Sequence, residues 1–142
     1  VKIGFFPDGA PVATLQALSA ISREGVRLIA VLFADAQPDL ALLTAIRQAG
    51  FAGAMLDTMD KRSGSLTGLL NNTQLQDFVW QCRELGLLSG LAGSLRAEDV
   101  APLLALQADY LGFRGALCQQ HCRTEVLDLQ RVQQIRKLVI SD

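Results

Sequence analysis

The chain predicts an α/β fold built on a parallel sheet, and three observations carry that prediction. Short apolar runs of strand type alternate with longer stretches of helical period. Gly25, Gly50 and Gly86 each follow a helical stretch and precede the next strand, the place of a left-handed C-terminal cap. The run Ala54-Met-Leu-Asp57 stays apolar up to a terminal carboxylate, the pattern of a buried parallel strand whose C-terminal end opens on a pocket.

Taken in order, strands are expected at Val1–Phe6, Val26–Phe33, Ala52–Asp57, Leu87–Ala92 and Tyr110–Phe113. The helices between and after them are expected at Pro11–Arg23, Pro38–Gln48, Thr73–Leu85, Ala97–Leu106 and Val126–Val139. Pro11 and Pro38 suit first-turn positions, Thr73 suits an N-cap, and Pro102 falls in an early turn of its helix. The five βα units average about 28 residues, close to one unit of an eight-fold TIM barrel, in which roughly 250 residues make the whole. Five units do not close such a barrel, so a single domain forming part of one is expected over residues 1–142. The longest loop runs from Thr58 to Asn72, after the strand that ends in Asp57. Loops of that length in that position usually serve the site.

Composition narrows the function classes. Half of the residues are hydrophobic, 19% are charged and the net charge is -1, which describes a core-rich chain. There is no clustered basic stretch to hold a nucleic acid, and the apolar run Leu28 to Ala34 is far too short to span a bilayer. Three cysteines, an odd number at low density, suit free thiols in a reducing compartment, so a cytoplasmic location is expected. No targeting peptide is visible at Val1. Dinucleotide, P-loop and nucleophile-elbow fingerprints are missing, and no cofactor is expected.

The residues able to do chemistry gather at strand ends. Alternation along the first strand puts Ile3 and Phe5 on one face and Lys2 on the other. With Ile3 and Phe5 against the helices, Lys2 points inward. A primary amine in such a place loses hydration, which favours the neutral form that attacks carbonyls. Lys2 also reads as a solvated terminal residue. Asp57, and Lys61 four positions on, suit a proton-transferring carboxylate and a carbonyl- or phosphate-engaging amine, though exposed Asp–Lys contacts are common and weak. Leu91-Ala-Gly-Ser-Leu95 and Gly112-Phe-Arg-Gly-Ala116 end consecutive strands with glycines, where backbone N–H groups can approach an anion. Gly93, Ser94, Arg114 and Gly115 are therefore candidate phosphate ligands; the glycines also suit ordinary tight turns. Cys118, His121 and Cys122 are too crowded for tetrahedral metal coordination and read as loop residues beside the site. Phe78, Trp80 and Cys82 read as packing residues of an amphipathic helix.

Val1-Lys-Ile-Gly-Phe5, Ala54-Met-Leu-Asp-Thr58 with Lys61, Leu91-Ala-Gly-Ser-Leu95, and Gly112-Phe-Arg-Gly-Ala116 followed by Cys118 together resemble the (5-formylfuran-3-yl)methyl phosphate synthase family of methanofuran biosynthesis. The resemblance runs through the whole chain and implies an eight-fold barrel. It also implies a lyase that condenses, cyclises and dehydrates two molecules of glyceraldehyde 3-phosphate, with loss of one phosphate, to a furan aldehyde phosphate. Carried over by position, the family's strand lysine falls on Lys2, its strand-end aspartate on Asp57 and its loop lysine on Lys61. Its phosphate loops fall on Gly93, Ser94, Arg114 and Gly115. The family's first three βα units, with an Asp-x-Lys strand, are missing from this chain, so inactivity in isolation and association with the missing part or with further copies are expected. The Arg-rich, Lys-poor composition resembles bacterial members more than archaeal ones. Two alternatives stay open: another Schiff-base aldolase of phosphosugars, or a non-catalytic phosphate-binding or assembly fragment.

Overall fold

A computed structural model describes residues 1–60 and 62–140. Five strands, β1 (Lys2–Phe5), β2 (Ile29–Phe33), β3 (Gly53–Asp57), β4 (Leu88–Ala92) and β5 (Tyr110–Gly112), form one sheet in the order β1-β2-β3-β4-β5. Every neighbouring pair is parallel. The helices are α1 (Pro11–Arg23), α2 (Leu42–Gln48), the short α3 (Leu66–Leu69), α4 (Asn72–Glu84), α5 (Val100–Leu104) and α6 (Leu129–Val139). Sequential order follows from physics: parallel neighbours need a crossover, and a helix of this length supplies one that packs back on the sheet.

The expected elements are present, most of them with shorter ends, while α4 starts one residue ahead of the expected Thr73, and the caps explain most of the differences. Pro11 occupies the start of α1. Gly25, Gly50 and Gly86 take φ of 89°, 84° and 65°, as the left-handed exits from α1, α2 and α4 require. The N-cap of α4 is Asn71, not Thr73: its side chain accepts from Gln74 N–H, while the Gln74 side chain accepts from Asn71 N–H. Pro38 lies ahead of α2, where the Asp39 carboxylate takes the Ala41 N–H at 2.9 Å. Inside the long loop after β3, Ser65 caps α3 with a bond from Gly68 N–H, a turn too short for a periodicity signal.

One face of the sheet packs on the helices. Ala30, Leu32, Ala54, Leu56 and Leu91 meet Leu43, Ile46, Leu75, Phe78 and Cys82 there, with Ile3 and Phe5 alongside. Phe78 and Cys82, four residues apart on α4, are fully buried. Trp80 corrects the expectation of packing: it is 55% exposed, because a residue two places on from Phe78 points to the opposite side of the helix. Between β4 and β5, Asp109 accepts from Ser89 N–H at 2.7 Å and from the Ser89 hydroxyl at 2.9 Å, locking the start of β5 to its neighbour.

The other face carries Val31, Met55 and Ala92, flanked by Ile29, Phe33 and Tyr110. It is concave. β1 and β5 are four strand spacings apart, about 19 Å across a flat sheet, yet Lys2 Nζ sits 5.6 Å from the centroid of the Tyr110 ring. Side chains that stand perpendicular to a flat sheet stay as far apart as their strands, so the sheet curls toward this face. Gly90 makes room for the contact, since a Cβ there would collide with the Tyr110 ring.

Candidate functional site

At the rim of the concave face lies a cavity of about 440 Å³. Its lining includes Lys2 from β1, Asp57 from the end of β3, Gly93, Ser94 and Arg96 after β4, and Arg114 and Gly115 after β5, together with His121 and Arg123. Six of the seven residues singled out from sequence thus border one space. The seventh, Lys61, lies outside the described residues.

Lys2 reaches the cavity because its neighbours Ile3 and Phe5 are drawn to the helix-side core, leaving the lysine on the concave side. The Tyr110 ring lies beneath its Nζ, a cation–π contact that orients the side chain. The Tyr110 hydroxyl is buried with no hydrogen-bond partner among the described residues. Burial pushes this phenol above its ordinary value, helped by the nearby Asp109 carboxylate, so it stays protonated.

Asp57 closes β3 beside Phe33, and its carboxylate accepts the Thr58 N–H at 2.7 Å. Asp35, in the single turn after β2 (Ala34–Ala36), then holds the chain that follows: it accepts from Met59 N–H at 2.9 and 3.1 Å and from Asp60 N–H at 2.8 Å. The loop that departs from Asp57 is thereby anchored at its root. Farther along, Leu66 N–H donates to Gly93 O at 2.9 Å and the Thr67 hydroxyl to Asp99 at 2.7 Å, tying it to the loop after β4. Nothing in the spacing of Asp35 betrays this role, which depends on β2 and β3 being in register.

The two glycine-bearing loops are shaped by close approach. Gly93 has a φ of 117°, and a Cβ there would stand 2.8 Å from Thr58 Cγ2. Ser94 follows in the left-handed region at φ 51°, a conformation that costs a non-glycine residue free energy and is found at ligand sites. After β5 the chain makes an excursion before α6, closed by Gln119 N–H to Val126 O at 3.1 Å and Asp128 N–H to Leu117 O at 2.8 Å. Within it Gln120 and His121 take φ of 52° and 54°, which folds His121 onto Gly115 and carries Arg123 to the cavity. Arg131 on α6 steadies His121 with a 2.8 Å contact to Nε2. Arg96, Arg123 and Asp35 escaped the sequence reading, because single residues on turns and loops carry no periodic signal, and Tyr110 was read only as the start of a strand.

The cysteines are free, and no metal-binding cluster of His, Cys, Asp and Glu occurs among the described residues. Cys118 and Cys82 are buried, and burial pushes the Cys82 thiol up to about 12. Cys122 is exposed, and a 3.1 Å contact with the Thr124 hydroxyl draws its thiol below the ordinary range. Near neutral pH, iodoacetamide is expected to label Cys122 well ahead of the other two, as read by peptide mass mapping. Thr124→Val should raise the pH midpoint of that labelling, since losing the hydroxyl destabilises the thiolate.

Residues 1–136 match the model of the 4-HFC-P synthase family. The chain belongs to that family. A relative from Methylorubrum extorquens that carries the (5-formylfuran-3-yl)methyl phosphate synthase name is 50% identical over 129 residues, covering 89% of this chain and 52% of the relative. One from Methanococcus aeolicus with the same name is 39% identical over 93 residues, 65% of this chain and 40% of its own. The chain thus spans about half the length of the curated relatives it matches. By shape it is similar to a chain in the crystal structure of the Amycolatopsis orientalis BexX/CysO complex, with a TM-score of 0.65 at 20% identity over 93% of this chain and 49% of the other. At that identity the likeness is one of fold. No helix among the described residues is long and apolar enough to cross a membrane.

Proposed function

We propose that this 4-HFC-P synthase family chain supplies five βα units of a TIM-barrel lyase that condenses two molecules of glyceraldehyde 3-phosphate into a furan aldehyde phosphate, within methanofuran biosynthesis. The observation that carries the reading is one cavity bordered by a lysine, an aspartate and two glycine-bearing loops. Family membership and the curl of the sheet support it further.

In this mechanism the phosphate of a triose rests against the backbone of Gly93 and Gly115, with the Ser94 hydroxyl and the Arg114 guanidinium completing its shell. The amine of Lys2 or Lys61 adds to the triose carbonyl and expels water, giving an iminium whose positive charge acidifies the adjacent C–H. Asp57 takes that proton, and the resulting enamine carbon forms a bond to the carbonyl of the second triose. Attack of a hydroxyl on a carbonyl closes the ring, and proton return from Asp57 to the departing groups lets two waters and one inorganic phosphate leave as the ring becomes aromatic, while hydrolysis of the iminium frees the lysine and the product aldehyde. Each step asks for an amine that is nucleophilic, a carboxylate within reach and a fixed anionic handle, which is the set of side chains around this space.

Incubating the full-length protein with glyceraldehyde 3-phosphate and following absorbance tests the reading. A furan chromophore is the expected result. A sugar phosphate without a chromophore would identify an ordinary aldolase instead, and unchanged triose would remove the catalytic assignment.

A further inference from the structure

The charge balance of the cavity exceeds what one phosphate needs. Among the described residues that border it, Lys2, Arg96, Arg114 and Arg123 are cationic and Asp57 alone is anionic, which leaves an excess of three positive charges. The ion pairs of the described residues, Arg62 with Asp60 and Arg131 with Asp128, involve none of these three arginines. A phosphate monoester carries about 1.5 to 2 negative charges near neutral pH, so a single one leaves the cavity still positive, whereas two bring it close to neutrality. The three arginines are exposed and stand in no ion pair among the described residues, so together they give the space a positive potential that favours an anion.

The backbone shows where a second anion would be met. Arg114 stands on the loop that follows β5 directly, whereas Arg123 comes from the excursion folded back over Gly115, and Arg96 from the far end of the loop after β4. Gln120 and His121 hold left-handed backbone conformations to bring Arg123 there, and Arg131 braces His121 from α6. A strained, braced segment that delivers a guanidinium to a cavity is a feature that solvation of a surface arginine does not require.

We propose that Arg96 and Arg123 form a second anion anchor, distinct from the one at Gly93, Ser94, Arg114 and Gly115, and that it takes the phosphate monoester of a second substrate molecule. The inference rests on the reading of the site as a triose-phosphate lyase and deepens it: the cavity holds both substrates by their anionic ends, with their carbonyl ends facing Lys2 and Asp57. Fixing two reactants in one space converts a bimolecular bond formation into an effectively unimolecular one.

Titration calorimetry of the full-length protein with glycerol 3-phosphate, a phosphate monoester without a reactive carbonyl, tests this. The unaltered protein should bind two equivalents and the R96A/R123A variant one, with furan formation in that variant falling at least tenfold and its dependence on triose concentration shifting upward. The R96K/R123K variant, which keeps the charges, should retain two equivalents at reduced affinity, and circular dichroism should show native helix content in both variants. One equivalent in the unaltered protein, or two in R96A/R123A, would overturn the second anchor. Were furan formation to persist in that case, the lyase reading would stand without it; were furan never formed by the unaltered protein, the lyase reading itself would fall.

Discussion

Replacing Asp57 with asparagine is expected to slow furan formation by about 10²–10⁴-fold, the usual contribution of a positioned acid or base. The amide keeps the shape of the carboxylate and still accepts the Thr58 N–H, so the root of the loop and the register of β3 with β2 are preserved. What is lost is the ability to take a proton. Binding of glycerol 3-phosphate, proposed to involve the arginine and glycine loops, should change little, and thermal stability should stay near that of the unaltered protein. The split between a large fall in kcat and an unchanged affinity is the measurement that matters. A loss of binding equal to the loss of rate would mean that Asp57 shapes the cavity rather than acting in it.

Phe51→Ala is expected to produce the largest loss of stability. Phe51 is 1% exposed at the entry to β3 and meets the ring of Phe5 on β1, with centroids 6.1 Å apart and planes inclined at 59°. Truncating a fully buried phenylalanine costs about 3–5 kcal/mol, from lost apolar burial and the cavity left behind. A domain of this size has only about 5–15 kcal/mol in total. The effect should reach the site as well. Phe5 shares its short strand with Lys2, and β1 pairs with a neighbour on one side only among the described residues. A loosened Phe5 therefore frees the strand that aims the amine at Tyr110. Urea unfolding should show a lower midpoint, and Phe51→Leu, which restores much of the volume, should recover a substantial part of it.

Much of the fold is legible in the sequence because it is periodic. Alternation along the strands and the spacing of α1 and α4 put apolar residues on the buried face, and the glycines at 25, 50 and 86 mark exits that only a left-handed residue makes cheaply. Asp57 and Lys2 stand out for the same reason, as charged residues where the pattern expects an inward-facing position. The excursion between β5 and α6 is different. Its shape is set by bonds between its own two ends, Gln119 with Val126 and Asp128 with Leu117, and by contact with Gly115, so a helix starting at Val126 was the natural expectation and Leu129 is the observed start. Asp35 was invisible for a related reason: its value lies in accepting N–H groups from a segment 24 and 25 residues away. The N-cap at Asn71 rather than Thr73 turned on a choice between adjacent polar residues, decided by the reciprocal bond from Gln74.

In the proposed function, a primary amine at the rim of the concave face attacks a triose carbonyl. Borohydride reduction of the full-length protein in the presence of glyceraldehyde 3-phosphate, followed by peptide mass mapping, tests it most directly. A stable adduct is expected on Lys2 or Lys61, absent without substrate and suppressed by glycerol 3-phosphate. No adduct, or one confined to Lys137 on α6 outside the cavity lining, would contradict it.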